Sequence, residues 1–124
     1  LKPSMVRPGE ECPKQATVQE VAQETLSCFK RVVPAAVPGI VFLSGGQSDV
    51  LATRHLNEMN RIDNVPWELS FSFGRALQAP ALNAWKGDPS KIKDAQKALH
   101  HRARCNAEAR HGKYTDRMES ESGV

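Results

Sequence analysis

Twice within residues 40–85 a short apolar run ends at glycine and passes directly into a helix-like pattern. In "GIVFLSGGQS", Ile40 to Leu43 reads as a buried strand, and residues 49–60 form a helix with Leu51, Ala52, His55, Leu56 and Met59 on one inward face. The second unit is "WELSFSF" at 67–73, followed by "GRALQAPALNAW" at 74–85, a helical run kinked at Pro80. Strands joined through an intervening helix pair in parallel by right-handed crossovers. Such a sheet is covered on both faces, which suits the uniformly apolar "GIVFL". The fold class is therefore α/β, and ligands of such sheets gather where strands end and helices begin.

The flanking segments add helices. Val18, Val21, Ala22, Thr25, Leu26, Phe29, Val32 and Val33 recur at intervals that make one stripe on a helix over 17–33. Thr17 and Glu20 supply a T-x-x-E capping box, and Pro34 stops the helix by removing a donor. Asp88 and Pro89 open a last helix, roughly 90–110, with Ile92, Ala95, Leu99 and Ala103 on its apolar side. Residues 1–111 then form one folded unit, and 112–124 a polar tail without periodicity, expected to be flexible.

Composition narrows the function classes. With 40 % hydrophobic and 25 % charged residues the chain has the make-up of a soluble globular protein. It has no apolar run near the roughly 20 residues of a membrane span, and its first residues lack the features of a secretory signal, so a cytoplasmic protein is expected. Cys12, Cys28 and Cys105 are odd in number and match no zinc-ligand spacing, and His55, His100, His101 and His111 form no evident metal group. A net charge of +3 is too mild to indicate nucleic acid. The segment from Lys91 to Lys113, with Lys93, Lys97, Arg102, Arg104 and Arg110, offers a polyanion-binding alternative, although such charges more often form a solvated helix face.

Three constellations carry chemistry. Lys2 ends a possible strand, and a lysine in a protected site can present a neutral amine that attacks a carbonyl to form a Schiff base; near a terminus it can equally be a solvated charge. Ser44, Gly45 and Gly46 can offer a hydroxyl and open backbone amides to an anion ahead of a helix, or form a plain tight turn. Gly74 follows the second strand, and Arg75 can fork two donors onto phosphate oxygens or pair with a carboxylate. Two successive strand-ending turns of this kind favour phosphate.

Taken together, "LKPSMV", "VPGIVFLSGGQS", "PWELSFSFGRALQAPALNAWKG" and "ARCNAEARHGKYT" resemble the C-terminal portion of class I fructose-1,6-bisphosphate aldolases, from residue 1 to about 115. The resemblance implies the last strands of a TIM (β/α)8 barrel, about three βα units, with strands near residues 1, 40–43 and 68–73. It implies Lys2 as the Schiff-base lysine, and Ser44, Gly45, Gly74 and Arg75 as the grip on the substrate phosphate next to the ketone. It implies a metal-independent enzyme without cofactor, a sugar-phosphate substrate, no membrane or nucleic-acid partner, and a homo-oligomer, often a tetramer. The chain departs from the family at Ser4, usually asparagine, and at Phe73, often tyrosine. The family's acid, base and second lysine have no counterpart here, and the last residues, Glu121 to Val124, lack its terminal tyrosine. Three strands leave an unpaired edge, so the chain alone is expected to be inactive and poorly soluble. The alternative is a non-catalytic βα module that holds a sugar phosphate.

Overall fold

The computed structural model describes residues 1–121. Its elements run α1 (Val18–Val32), β1 (Gly39–Phe42), α2 (Asp49–Met59), β2 (Glu68–Phe71), α3 (Arg75–Trp85) and α4 (Ile92–Arg110), with short 3-10 turns at Pro89–Lys91 and Asp116–Glu119. Both halves of the expected capping box form, Glu20 N–H donating to Thr17 Oγ1 at 3.1 Å and Thr17 N–H to Glu20 Oε2 at 2.7 Å. Asp88 likewise accepts from Ser90 N–H at 2.9 Å.

β1 and β2 pair in parallel, Ile40 opposite Leu69 and Phe42 opposite Phe71. The other edge of β1 is taken by the N-terminal residues. The Leu1 amine donates to Gly39 O at 3.1 Å, Val41 N–H to Leu1 O at 2.8 Å, and Leu43 N–H to Pro3 O at 3.0 Å. This is the slanted pattern of a parallel pair, so three parallel runs lie side by side. It sets Leu1 opposite Ile40 and turns Lys2 toward the face that carries Val41 and Ser70.

The opposite face holds the core. Ile40, Phe42 and Leu69 are buried there, with Phe42 stacked on Phe29 of α1 at 5.8 Å and Trp67 edge-on to Phe29 at 6.4 Å. Trp67 satisfies its indole N–H on Pro34 O at 2.9 Å. Val41 and Ser70 are only half-buried.

Two expectations need correction. First, α4 does not bury Ile92 and Leu99, which are exposed; it buries Arg102, Cys105, Asn106 and Ala109. The polar members of this face have partners across the core: Arg102 bonds Thr53 Oγ1 at 3.1 Å and Glu119 at 2.7 Å, and the Thr53 hydroxyl donates to Asn106 Oδ1 at 2.6 Å. A polar face with most of its groups bonded takes the inward position, although Arg102 Nε and Asn106 Nδ2 are buried without a partner among the described residues. Second, the tail is folded as far as it is described. Tyr114 and Met118 are buried, Tyr114 N–H donates to Asn57 Oδ1 at 2.9 Å, and Arg102 holds Glu119. The lack of a period misled because a few anchors, not a regular face, dock this segment. The final three residues of the expected tail, 122–124, lie outside the described residues.

Candidate functional site

The turn after β1 is built for backbone exposure. Gly45 and Gly46 take φ of 59° and 80°, the left-handed region where a side chain is strained. A Cβ on Gly45 would also come within 3.2 Å of Leu43. Gln47 N–H closes the turn on Ser44 O at 3.1 Å, and Ser48 caps α2 by accepting from Leu51 N–H at 3.2 Å. Ser44 is buried beneath the turn, while Gly45 and Gly46 are exposed on it.

Behind the turn stands a pair that sequence reasoning missed. Gln47 donates to Ser44 O at 2.8 Å, and its Oε1 lies 2.6 Å from His55 Nδ1 on α2. Burial, and secondarily the charge of Arg7, lower the His55 pKa to about 4, so the ring is neutral at physiological pH and donates to Gln47. Arg7 in turn donates to Gly45 O at 3.1 Å. A contact eight residues apart across a turn follows neither the helical nor the strand period, so no pattern in the chain announces it.

The turn after β2 meets this first turn. Gly74 is the N-cap position of α3 and offers no side-chain cap, which leaves the first amides of the helix open. Nothing lies within 4 Å of where a Cβ on Gly74 would sit. Arg75 is exposed and, among the described residues, has no hydrogen bond or ion pair through its side chain. A cleft of about 490 Å³ joins the two turns, lined by Gly46, Gln47, Ser48 and Asp49 on one side and by Arg75 and Ala76 on the other. Two helix N-termini and the Arg75 guanidinium favour an anion there against one carboxylate, that of Asp49. Of the expected phosphate grip only Arg75 lines the cleft, with Ser44, Gly45 and Gly74 outside its lining. Lys2 is exposed on the adjoining open face and does not line the cleft.

Elsewhere the structure revises the reading of the charged and thiol groups. Arg102 is buried, Arg104 pairs with Glu121 at 3.5 Å, and Arg110 pairs with Glu68, so half of the proposed basic stripe is neutralised. His101 and Cys105 are grouped after all, meeting Glu119 from the 3-10 turn. Among the described residues no helix is long and apolar enough to cross a membrane.

Parallel strands with helices on one face and open turns at the strand ends define an α/β class of protein, as in a piece of a parallel barrel. The sequence model of the family described as "Glycolytic: Fructose-bisphosphate aldolase class-I" matches residues 1–124. The chain is 50 % identical over 115 residues to fructose-bisphosphate aldolase of Dictyostelium discoideum, covering 93 % of this chain and 32 % of that protein. It is 55 % identical over 115 residues to the chloroplastic enzyme of Oryza sativa subsp. japonica, covering 93 % and 29 %. A solved structure of the Plasmodium falciparum aldolase, in complex with TRAP and a small-molecule inhibitor, superposes with a TM-score of 0.89 at 46 % identity, covering 92 % of this chain and 33 % of that one. The chain belongs to the class I fructose-bisphosphate aldolase family and has the α/β fold of part of its TIM barrel. It spans about a third of the length of the relatives it matches.

Proposed function

We propose that this chain is the part of a metal-independent class I aldolase that carries the Schiff-base lysine and the phosphate grip. The complete enzyme reversibly cleaves fructose 1,6-bisphosphate to dihydroxyacetone phosphate and glyceraldehyde 3-phosphate in cytoplasmic glycolysis and gluconeogenesis, as a homo-oligomer, with the tetramer the expected form. Lys2 is the nucleophile: its amine adds to the ketone, water leaves, and the protonated imine accepts the electron pair released when the C3–C4 bond breaks. Ser44, Gly45, Gly74 and Arg75 hold the neighbouring phosphate and so fix the carbonyl beside the amine.

The observation that carries this reading is the cleft joining the glycine turn to an uncommitted Arg75. Lys2 belongs to the run paired with β1, on the sheet face opposite the packed helices, which supports its access to a substrate held at the strand ends. Borohydride reduction of the full-length polypeptide with dihydroxyacetone phosphate should leave a stable adduct on Lys2. An adduct on another lysine, or none, would overturn the role of Lys2, and phosphate-dependent binding without any adduct would instead favour a non-catalytic sugar-phosphate module.

A further inference from the structure

We propose that His101, Cys105 and Glu119 form a binding site for a borderline-soft divalent cation such as zinc, joining α4 to the 3-10 turn that follows it. The site lies outside the catalytic cleft and is independent of the function proposed above. His101 and Cys105 are four residues apart on α4 and so share one face of the helix. His101 Nε2 lies 3.8 Å from Cys105 Sγ and 3.9 Å from Glu119 Oε2, and all three donor atoms fall within 4.8 Å of one another. Zinc bonds of about 2.0–2.3 Å place ligand atoms roughly 3.3–3.8 Å apart in a tetrahedron, so the two His101 separations are nearly in place and the widest pair, within 4.8 Å, has about an ångström to close. Imidazole, thiolate and carboxylate are the donor types that zinc takes, and three protein ligands leave one position for water.

The surroundings orient the carboxylate. Tyr114 Oη donates to Glu119 Oε1 at 2.5 Å and Arg102 Nη2 to the same oxygen at 2.7 Å. Arg102 Nη1 reaches Oε2 at 2.9 Å, which leaves that oxygen a lone pair for an ion beside His101. Arg102 also brings a positive charge, but it stands 3.7 Å from Asp49. The carboxylates of Asp49 and Glu119 with the Cys105 thiolate therefore balance the guanidinium and a dipositive ion. Binding displaces the Cys105 thiol proton to solvent and uses neutral His101 as the nitrogen donor. His101 and Glu119 keep 21 % and 25 % of their side-chain surface exposed, which gives an ion a route in.

Titration of the reduced full-length polypeptide with cobalt(II) at neutral pH tests the site. One equivalent should produce the ultraviolet charge-transfer band of a cobalt–thiolate bond, reversed by zinc. Cys105→Ser should abolish the band, and His101→Ala should weaken binding at least tenfold. Absence of the band, or a band that survives Cys105→Ser and so arises from Cys12, Cys28 or another thiol, overturns the proposal. Should either variant unfold, X-ray absorption of the zinc-loaded parent decides: one sulfur with nitrogen or oxygen neighbours supports the site, and a sulfur-free shell refutes it.

Discussion

Among the described residues Arg75 has no side-chain partner, and it stands at the start of a helix whose first amides have no side-chain cap. A charge-assisted, two-pronged contact to phosphate is worth roughly 1.5–3 kcal/mol. Arg75→Ala in the full-length enzyme should therefore raise KM for the bisphosphate about 10- to 100-fold, with Arg75→Lys recovering part of the loss. Steady-state kinetics showing unchanged KM would remove Arg75 from the grip. This residue was legible in the sequence because it follows glycine at a strand end, and Gly45 and Gly46 were legible because only glycine takes their φ without strain. Gln47, His55 and Arg7 were not, since their contacts join segments with no shared period. The pairing of Cys105 with His101 was not read from the sequence either, and its third member, Glu119, arrives from a segment with no regular pattern.

The helices differ in how far their faces could be read. α1 buries Val21, Ala22, Thr25, Leu26 and Phe29 of its expected stripe, because an apolar face against an apolar sheet leaves little choice, whereas Val32 in its last turn is exposed against expectation, beyond the reach of the sheet. α4 turns a polar face inward because Thr53 and Glu119 accept from the Nη atoms of its buried arginine and Thr53 also bonds Asn106, and hydrogen-bond partners from distant segments are invisible to a periodicity argument. Removing the α1 cap by Thr17→Ala should lower stability by about 1 kcal/mol, read as a reduced urea midpoint with unchanged slope. α2 contributes a pH dependence through His55, whose pKa is held near 4 by burial and by Arg7. The unfolded chain, with an ordinary histidine, takes up a proton before the folded one does. Stability from this group is complete above about pH 6.5 and is lost as pH falls toward 4, by roughly 3 kcal/mol in all. His55→Gln should flatten the slope of stability against pH across that window; an unaltered slope would mean that the ring is already charged in the fold.

At the scale of the molecule, the surface area carries the argument. The chain exposes 7724 Å², whereas a compact monomer of its 13.7 kDa would expose roughly 6600 Å². The excess coincides with a sheet packed on one face, half-buried Val41 and Ser70 on the other, and exposed Leu1, Leu82, Trp85, Ile92 and Leu99. Parallel sheets are stable when both faces are covered, and the relatives are about three times as long as this chain. The chain expressed alone should therefore associate through its open face and edge, seen as concentration-dependent light scattering and strong binding of a hydrophobic dye. It should also show no aldol cleavage, because the imine alone supplies an electron sink and the proton-transferring groups of the reaction have no counterpart among its own motifs. Adding the other two-thirds of a relative's barrel as a separate chain should suppress the scattering and bring borohydride trapping at Lys2 together, since both depend on covering the same face. A soluble monomer that cleaves fructose 1,6-bisphosphate unaided would refute this account, because it would require a complete site on a sheet with one side still open to water.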